Sequence, residues 1–562
     1  MAESSKPKAS EEASAPKRAG GGAGAAGRLA AYVRGLRLPP DASLFTGLVL
    51  AVAVLSVAWP LWSCEWLPFV DYPEHVGTVG AIHGIHGPAF APYYTVDYAG
   101  SQYLLFYVAS DIAAYVLGVE QGTRFVVVLS LALLPLAVAA FLRANGRPML
   151  PAALSACVAI HVFVFWGFVN YAMGATLAIA ALAALAWLVR QPTTGRAVWF
   201  GLLSVLTFYA HAQLYAWMAF ASLVLVLGMA RTAGGKQTLA ATWRAAAAAA
   251  PSVLATWWWV RSSNVLETGE GALRSGTIAD PGGGAEYARA SDTLRAFFDH
   301  SFAFYTDGTG DRIALVFLTA VLALVILRGA RSLTREPTLE AERWSRTLAP
   351  EAVLLFTFAA WLFAPHSYKV IGPINDRFLS VALALLPVLA PAVPLRILPR
   401  VSLGVLAIVA TLWVGRAHAR KFHETDDEMG SLGEALSHTR SGKKLLGLVF
   451  DRQSAVVPFV TYMHSHQYYQ ARVGGLAAWG FVELPKSPVK YRDDAAPPPF
   501  PPRFEWAPER FNWSTWGEYF DYFLIRTAPG RPAPNMFPPA APNSPELIYD
   551  SPRWHLYAKR GL

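Results

Sequence analysis

The chain is short of charge. Of its 562 residues only 15% are Asp, Glu, Lys or Arg, against about 25% in an average soluble domain. With 54% hydrophobic residues and 19 tryptophans, that shortage excludes an ordinary soluble enzyme and a wholly disordered chain. Cysteine is scarcer still. Cys64 ends one apolar run and Cys157 lies inside another, at different depths, so no disulfide is expected. A cleavable signal sequence is not expected either, because the first apolar run begins only near Leu44. Residues 1–40, rich in Ala, Gly, Ser and Lys, read as a disordered cytoplasmic tail. The net charge of +9 comes from Lys and Arg that punctuate apolar runs rather than cluster on a soluble face. That pattern points to membrane topology and to no nucleic-acid partner.

A spanning helix needs about 20 mostly apolar residues. Such runs lie near 44–63, 123–142, 149–168, 171–189, 197–211, 213–230, 242–260, 312–328, 350–365, 377–394 and 400–416. The sequence therefore predicts an all-α polytopic membrane domain of about eleven spans over 41–418. The segment 101–118 is apolar too, but counting it as a span would place the basic loops outside. Arg143/Arg147, Arg190/Arg196, Arg231/Lys236, Arg328/Arg331/Arg335 and Arg396/Arg400 all stay cytoplasmic only if 101–118 lies along the interface. The outer segments are then 64–122, 261–311, 366–376 and the tail 419–562. In that tail, Leu445–Asp451 and Tyr519–Arg526 read as strands, 455–470 as a helix, and Glu546–Lys559 as a hairpin turning near Asp550-Ser551-Pro552. A small extracytoplasmic α/β domain is expected, guiding an acceptor or packing over the outer cavity without chemistry of its own. Abundant Ala and Arg suit a bacterial inner membrane, with the amino terminus cytoplasmic and the carboxy-terminal domain periplasmic or external.

The sharpest local feature is Asp71-Tyr72-Pro73-Glu74-His75, just beyond the first span. Pro73 suits the first turn of a helix. Asp71 is a candidate general base for an acceptor hydroxyl, with Glu74 and His75 assisting. Asp71 and His75 are also candidates to hold a divalent cation. A helix-capping Asp with solvated neighbours is the plainer alternative.

These features resemble the glycosyltransferase C superfamily (GT-C), polytopic enzymes that use polyprenyl-phosphate sugars, in particular those related to protein O-mannosyltransferases and aminoarabinose transferases. The resemblance rests on Asp71 soon after the first span, the interfacial helix 101–118, and the stretch Gly118-Val119-Glu120-Gln121-Gly122-Thr123-Arg124 leading into the second span. It covers roughly 40–420 and is mainly architectural. Many members carry two adjacent acids in this loop, whereas here Tyr72 follows Asp71. The resemblance implies that Asp71 is the catalytic base, that a polyprenyl-phosphate-linked sugar is the donor, and that a lipid, glycan or protein is the acceptor.

A departing phosphate needs electrostatic support. Arg377, Lys369 and His366 around the loop HSYKVIGPINDR are the candidates; an Arg that merely snorkels at a helix end is the alternative for Arg377. Asn170 and Tyr171, between the third and fourth runs, and His211, between the fifth and sixth, are expected to line an outer cavity. Trp257-Trp258-Trp259 reads as interfacial anchoring. Glu267, Glu270, Asp299 and His300 are candidate acceptor contacts. His464-Ser465-His466 is expected to be structural, because i and i+2 on a helix point apart. Two other function classes compete. A transporter or flippase would carry ionisable groups at mid-membrane or paired broken repeats, and the spans show few such charges. In a non-catalytic membrane scaffold Asp71 would only cap its helix.

Overall fold

The computed structural model describes residues 43–562 except 100, 263–284, 335–342, 369–371, 485–486, 502 and 539–542. The tail 1–40, Lys369, Glu267 and Glu270 lie outside the described residues.

The described chain is mostly helical. Among the described residues, seven helices are long and apolar enough to cross a membrane. They are α1 Leu44–Trp62, α4 Val119–Ala144, α5 Val169–Arg190, α7 Ala212–Ala233, α9 Thr309–Gly329, α10 Arg343–Phe363 and α12 Ile397–Met429. Between them come α2 Tyr72–His83, α3 Leu104–Leu117, α6 Thr194–Ala210, α8 Gly235–Ser262 and α11 Asn375–Leu385. The outer faces of the long helices are apolar at helical spacing, with Phe220, Leu223 and Leu227 exposed on α7 and Leu315, Leu322 and Ile326 on α9. Contiguous apolar faces of this kind are rare on proteins that meet only water.

Hydropathy alone counts eleven runs, and the four not among the seven differ for local reasons. Residues 149–168 form a 3-10 helix, Leu150–Val158, and then a single turn, Val162–Phe165. Residues 377–394 form α11, which tightens into 3-10 geometry over Leu386–Leu389 at Pro387. Both segments are buried and pack on each other, which is where backbone that departs from the regular α-helix is tolerated at membrane depth. Helix α6 has only 17 residues. Helix α8 is longer, but Ala-rich, and contains Pro251 and Arg244. Helix α3 has 14 residues and reaches only about 21 Å, short of the ~30 Å of a hydrocarbon core.

The basic turns meet at one end of the bundle. Arg147 pairs with Glu351, as does Arg328. Arg190 donates to the Arg143 and Ala144 carbonyls, Arg343 to that of Thr232, and Arg400 to Thr46 Oγ1 at the start of α1. Helix directions then carry Asp71, Asn170 and His211 to the opposite end.

Helix α12 runs without a break through 418 to Met429 and leads into a five-stranded sheet. Its strands are β2 Lys443–Val449, β3 Gly475–Ala478, β5 Tyr522–Arg526, β6 Glu546–Asp550 and β7 Trp554–Ala558, in the order β3-β2-β5-β7-β6. Strand β2 is parallel to both neighbours, with Leu446 opposite Phe523; its Leu-Leu-Gly-Leu-Val run suits a position with strands on both sides. The hairpin β6–β7 forms where Pro552 and its neighbours mark a turn. The helix expected over 455–470 does not form as such. That stretch is mainly turns, then a 3-10 helix at Ser465–Gln467 and a short helix at Tyr468–Arg472. A second ribbon ties the sheet module to the loop after α1: β1 Tyr94–Val96 pairs antiparallel with β4 Val489–Tyr491.

Candidate functional site

The loop that carries Asp71 is bolted down before α2 begins. The Arg124 guanidinium donates to the carbonyls of Cys64 and Glu65. The Asp426 carboxylate accepts from the amides of Glu65 and Trp66, both at 2.7 Å. Arg472 bridges Glu65 and Glu120, and Phe69 packs edge-on against Phe165 and Phe422. Val70 and Asp71 then hydrogen-bond through their amides to the carbonyls of Phe165 and Trp166. Helix α2 starts at this anchored point with Pro73 in its first turn, where a missing N–H costs nothing.

Asp71 stands at the N-cap position of α2, but its side chain makes no capping hydrogen bond. Its carboxylate is thus not spent on the helix. Gly167, at φ +89°, lies directly against it: a Cβ there would come within 2.6 Å of the Asp71 nitrogen. Glycine is required for both reasons. His75, one turn further, is buried. Its Nε2 donates to the Gly167 carbonyl at 3.2 Å and its Nδ1 accepts from the Tyr107 hydroxyl at 3.0 Å. Burial pushes its pKa down to about 3, so the ring is neutral. With both nitrogens engaged, His75 positions the helix rather than presenting a ligand beside Asp71. Among the described residues no three His, Cys, Asp or Glu side chains converge as a metal-ligand set.

The group that does face Asp71 comes from the sheet module. His464 places Nε2 3.6 Å from Asp71 Oδ1 and Nδ1 2.8 Å from Glu74 Oε1. Glu74 is buried, and its other oxygen accepts from the Phe481 amide at 2.7 Å. Burial pushes the Asp71 carboxyl up to about 7; the nearby His464 opposes this, while Glu74 and Glu505 add to it. Burial works against a charged His464, but Glu74, then Asp71 and Glu505, outweigh it and hold its pKa above the ordinary value. His466 turns the other way. It donates from Nε2 to the Trp479 carbonyl at 2.9 Å, and burial pulls it down to about 4.

A second group sits on the same turn as Gly167. Phe168 lies under the Arg377 guanidinium, 4.5 Å from the ring centroid. The Tyr171 hydroxyl donates to the Arg377 carbonyl. Arg377 is buried. Its guanidinium reaches the Gln213 side chain at 3.4 Å and the Gly372 carbonyl at 3.5 Å, and its Nε has no hydrogen-bond partner among the described residues. Among the described residues no carboxylate pairs with it. The His211 ring lies 5.3 Å from those of Tyr103 and Tyr171, and among the described residues nothing hydrogen-bonds Oδ1 of the buried Asn170. An under-coordinated buried guanidinium beside polar and aromatic side chains is suited to an oxyanion.

Of the residues singled out from sequence, Asp71, Glu74, His75, Asn170, Tyr171, His211 and Arg377 therefore gather around one turn, 166–171. His366 is diverted. Its Nδ1 lies 3.2 Å from Asn375 Oδ1 and 3.5 Å from the Asp376 carboxylate. His300 takes the other Asp376 oxygen at 3.0 Å, so these two histidines clamp a buried acid. Glu505, Phe168 and Gln213 carry no candidate role in the sequence, and His464 is expected there to be structural, because i, i+2 rings diverge on a helix. Divergence does occur, in a 3-10 turn, and it is what sends His464 to Asp71 while His466 holds the sheet. Gln213, beside His211, was the one with a local signal, a polar side chain in the same turn.

No protein-family model matches this chain, and a comparison with curated proteins yields no match.

Proposed function

We propose that this protein is a membrane-embedded glycosyltransferase of the GT-C type, which moves a sugar from a polyprenyl-phosphate carrier to a hydroxyl acceptor at the outer face. The observation that carries the reading is a half-buried, non-capping carboxylate, Asp71, joined through one rigid turn to a buried guanidinium, Arg377, that has no carboxylate partner among the described residues. A helix-capping role for Asp71 would require the cap bond that is missing. A carboxyl held near 7 is tuned for proton abstraction at neutral pH.

The step balances simply. The acceptor hydroxyl gives its proton to the Asp71 carboxylate as its oxygen attacks the sugar's anomeric carbon. The bond from that carbon to the phosphate oxygen breaks, its electron pair stays on the phosphate, and polyprenyl phosphate leaves with inversion. Arg377, helped by Gln213, stabilises the charge that builds on the leaving oxygens. The expected orientation puts the basic end in the cytoplasm, α3 along the outer interface, and the sheet module outside.

The test uses the full chain in bilayer nanodiscs with a panel of polyprenyl-phosphate sugars carrying tritiated glucose, mannose, galactose, N-acetylglucosamine or arabinose. Release of free polyprenyl phosphate from at least one donor is expected, with Asp71→Asn lowering the rate by roughly 100-fold or more. A folded D71N protein that turns over a donor as fast as the wild type overturns the assignment, as does a preparation that consumes none of the panel but moves an intact donor across sealed vesicles.

A further inference from the structure

We infer that His464 is the positioning residue of Asp71: a histidine delivered by the sheet module, clamped through Nδ1 by Glu74, that sets its Nε2 edge against the carboxylate. The inference rests on the reading of Asp71 as the base, and extends it by making the module after α12 part of the reaction centre rather than a cover over it.

The geometry carries it. His464 and Glu74 are both buried, and Nδ1 stands 2.8 Å from Glu74 Oε1 in an ion-pair contact whose angle is not that of a hydrogen bond. Glu74 cannot swing away, because its second oxygen is held by the Phe481 amide. A Cβ on Gly480 would come 3.0 Å from that same oxygen, which closes the remaining room. On its other side His464 faces the Trp479 ring in a near-parallel arrangement, 22° between planes. The imidazole is thereby left one direction for Nε2, toward Asp71 Oδ1 at 3.6 Å.

A neutral imidazole has one N–H and could serve only one of two carboxylates. With the Glu74 carboxylate 2.8 Å from Nδ1 and the Asp71 carboxylate 3.6 Å from Nε2, the ring is matched electrostatically to its environment as a cation between two acids. The charged groups that face it are Asp71, Glu74 and Glu505, with the neutral His466 behind. A cation held there keeps the half-buried base ionised and aimed while the acceptor hydroxyl binds. An opposite charge at this range lowers a carboxyl pKa by about 1–3, so its loss shifts the ratio of protonated, idle Asp71 to ionised Asp71 at neutral pH by roughly tenfold or more.

The experiment compares wild type, H464Q, H464A and D71N as full chains in nanodiscs, using whichever polyprenyl-phosphate sugar of the panel the wild type consumes. H464Q is expected to lower kcat by about tenfold or more, with KM for the donor within about twofold because no donor contact is removed. Added imidazole is expected to restore part of the H464A rate. A latch with no positioning role would lower thermal stability and leave kcat per folded molecule unchanged. That result with D71N inactive overturns the inference and leaves the base reading standing; an active D71N overturns both. A second measurement needs neither a donor nor a foldable variant at 464. In wild-type protein labelled with [15N]histidine, the His464 ring is expected to carry protons on both nitrogens at pH 7 and to respond to E74Q. A singly protonated ring that ignores E74Q refutes the clamp.

Discussion

Replacing Asp71 by Asn should stabilise the protein above neutral pH and abolish its function at the same time. The carboxyl titrates near 7 in the folded chain against an ordinary 3.8. Below about 4 the folded and unfolded chains both hold the proton, and the site adds nothing to the pH dependence of stability. Between about 4 and 7 the unfolded chain loses the proton while the folded chain keeps it, so stability falls as pH rises. Above 7 the folded carboxylate is ionised too, and a constant penalty remains. At about 1.4 kcal/mol per pH unit the gap corresponds to roughly 4 kcal/mol. The 22% of the side chain still open to solvent screens part of it, and a benefit of about 2–4 kcal/mol is expected for D71N at pH 8. An amide of the same shape carries no charge to desolvate. Tryptophan-fluorescence melting of both proteins in nanodiscs from pH 4 to pH 8.5 measures the difference. D71N should melt several degrees higher at pH 8, with the gain vanishing toward pH 4. If D71N is instead less stable by the same amount at every pH, Asp71 is a structural residue and the electrostatic argument fails.

Initial transfer rates should rise with pH through about 7, because only the ionised Asp71 can take the acceptor's proton; a rate that is flat from pH 5.5 to 8.5 would remove Asp71 from the chemistry. Gly167→Ala forces a left-handed backbone on a residue with a Cβ, at about 1–2 kcal/mol, and drives that carbon into Asp71; a lower melting temperature together with at least a tenfold loss of kcat is expected, and an unchanged kcat contradicts the contact. Arg377→Ala should cost about 100-fold or more in transfer. Arg377→Lys should recover little of it, since Lys can neither stack as a plane on Phe168 nor fork two donors onto phosphate oxygens; full activity in R377K would show that only a point charge is needed.

Much of this site was legible because its signals are local. Pro73 after an apolar run marks a helix start, and that placed Asp71 at a cap position. Polar residues between adjacent apolar runs marked Asn170 and His211 as members of one end of the bundle. The hairpin at 546–558 was visible from Pro552 and its neighbours. What was hidden depended on contacts far apart in the chain. Residues 149–168 have the hydropathy of a spanning helix, yet Pro151 and small residues let them tighten into a buried 3-10 segment. Hydropathy measures apolarity and cannot see that change of winding. His366 looked like a phosphate ligand until Asp376 and Asn375, both buried at the start of α11, claimed it. His464 shows in the sequence only as one of a histidine pair whose rings diverge, because its partners Asp71 and Glu74 belong to the first loop of the chain.

The turn 166–171 explains how residues so scattered act as one arrangement. It leaves the short Val162–Phe165 helix and enters α5, so both of its ends are held by packed structure. Its carbonyls at Trp166 and Gly167 grip Asp71 and His75. Its ring at Phe168 supports Arg377, and Tyr171 holds the Arg377 backbone. The spacing of acid and cation is thus set by backbone geometry and not by the side chains' own freedom. A transfer reaction gains most when the groups that take up a proton and stabilise a leaving charge need no rearrangement as charge develops. On the proposed reading, that requirement would account for a glycine with a left-handed backbone at the centre of the turn.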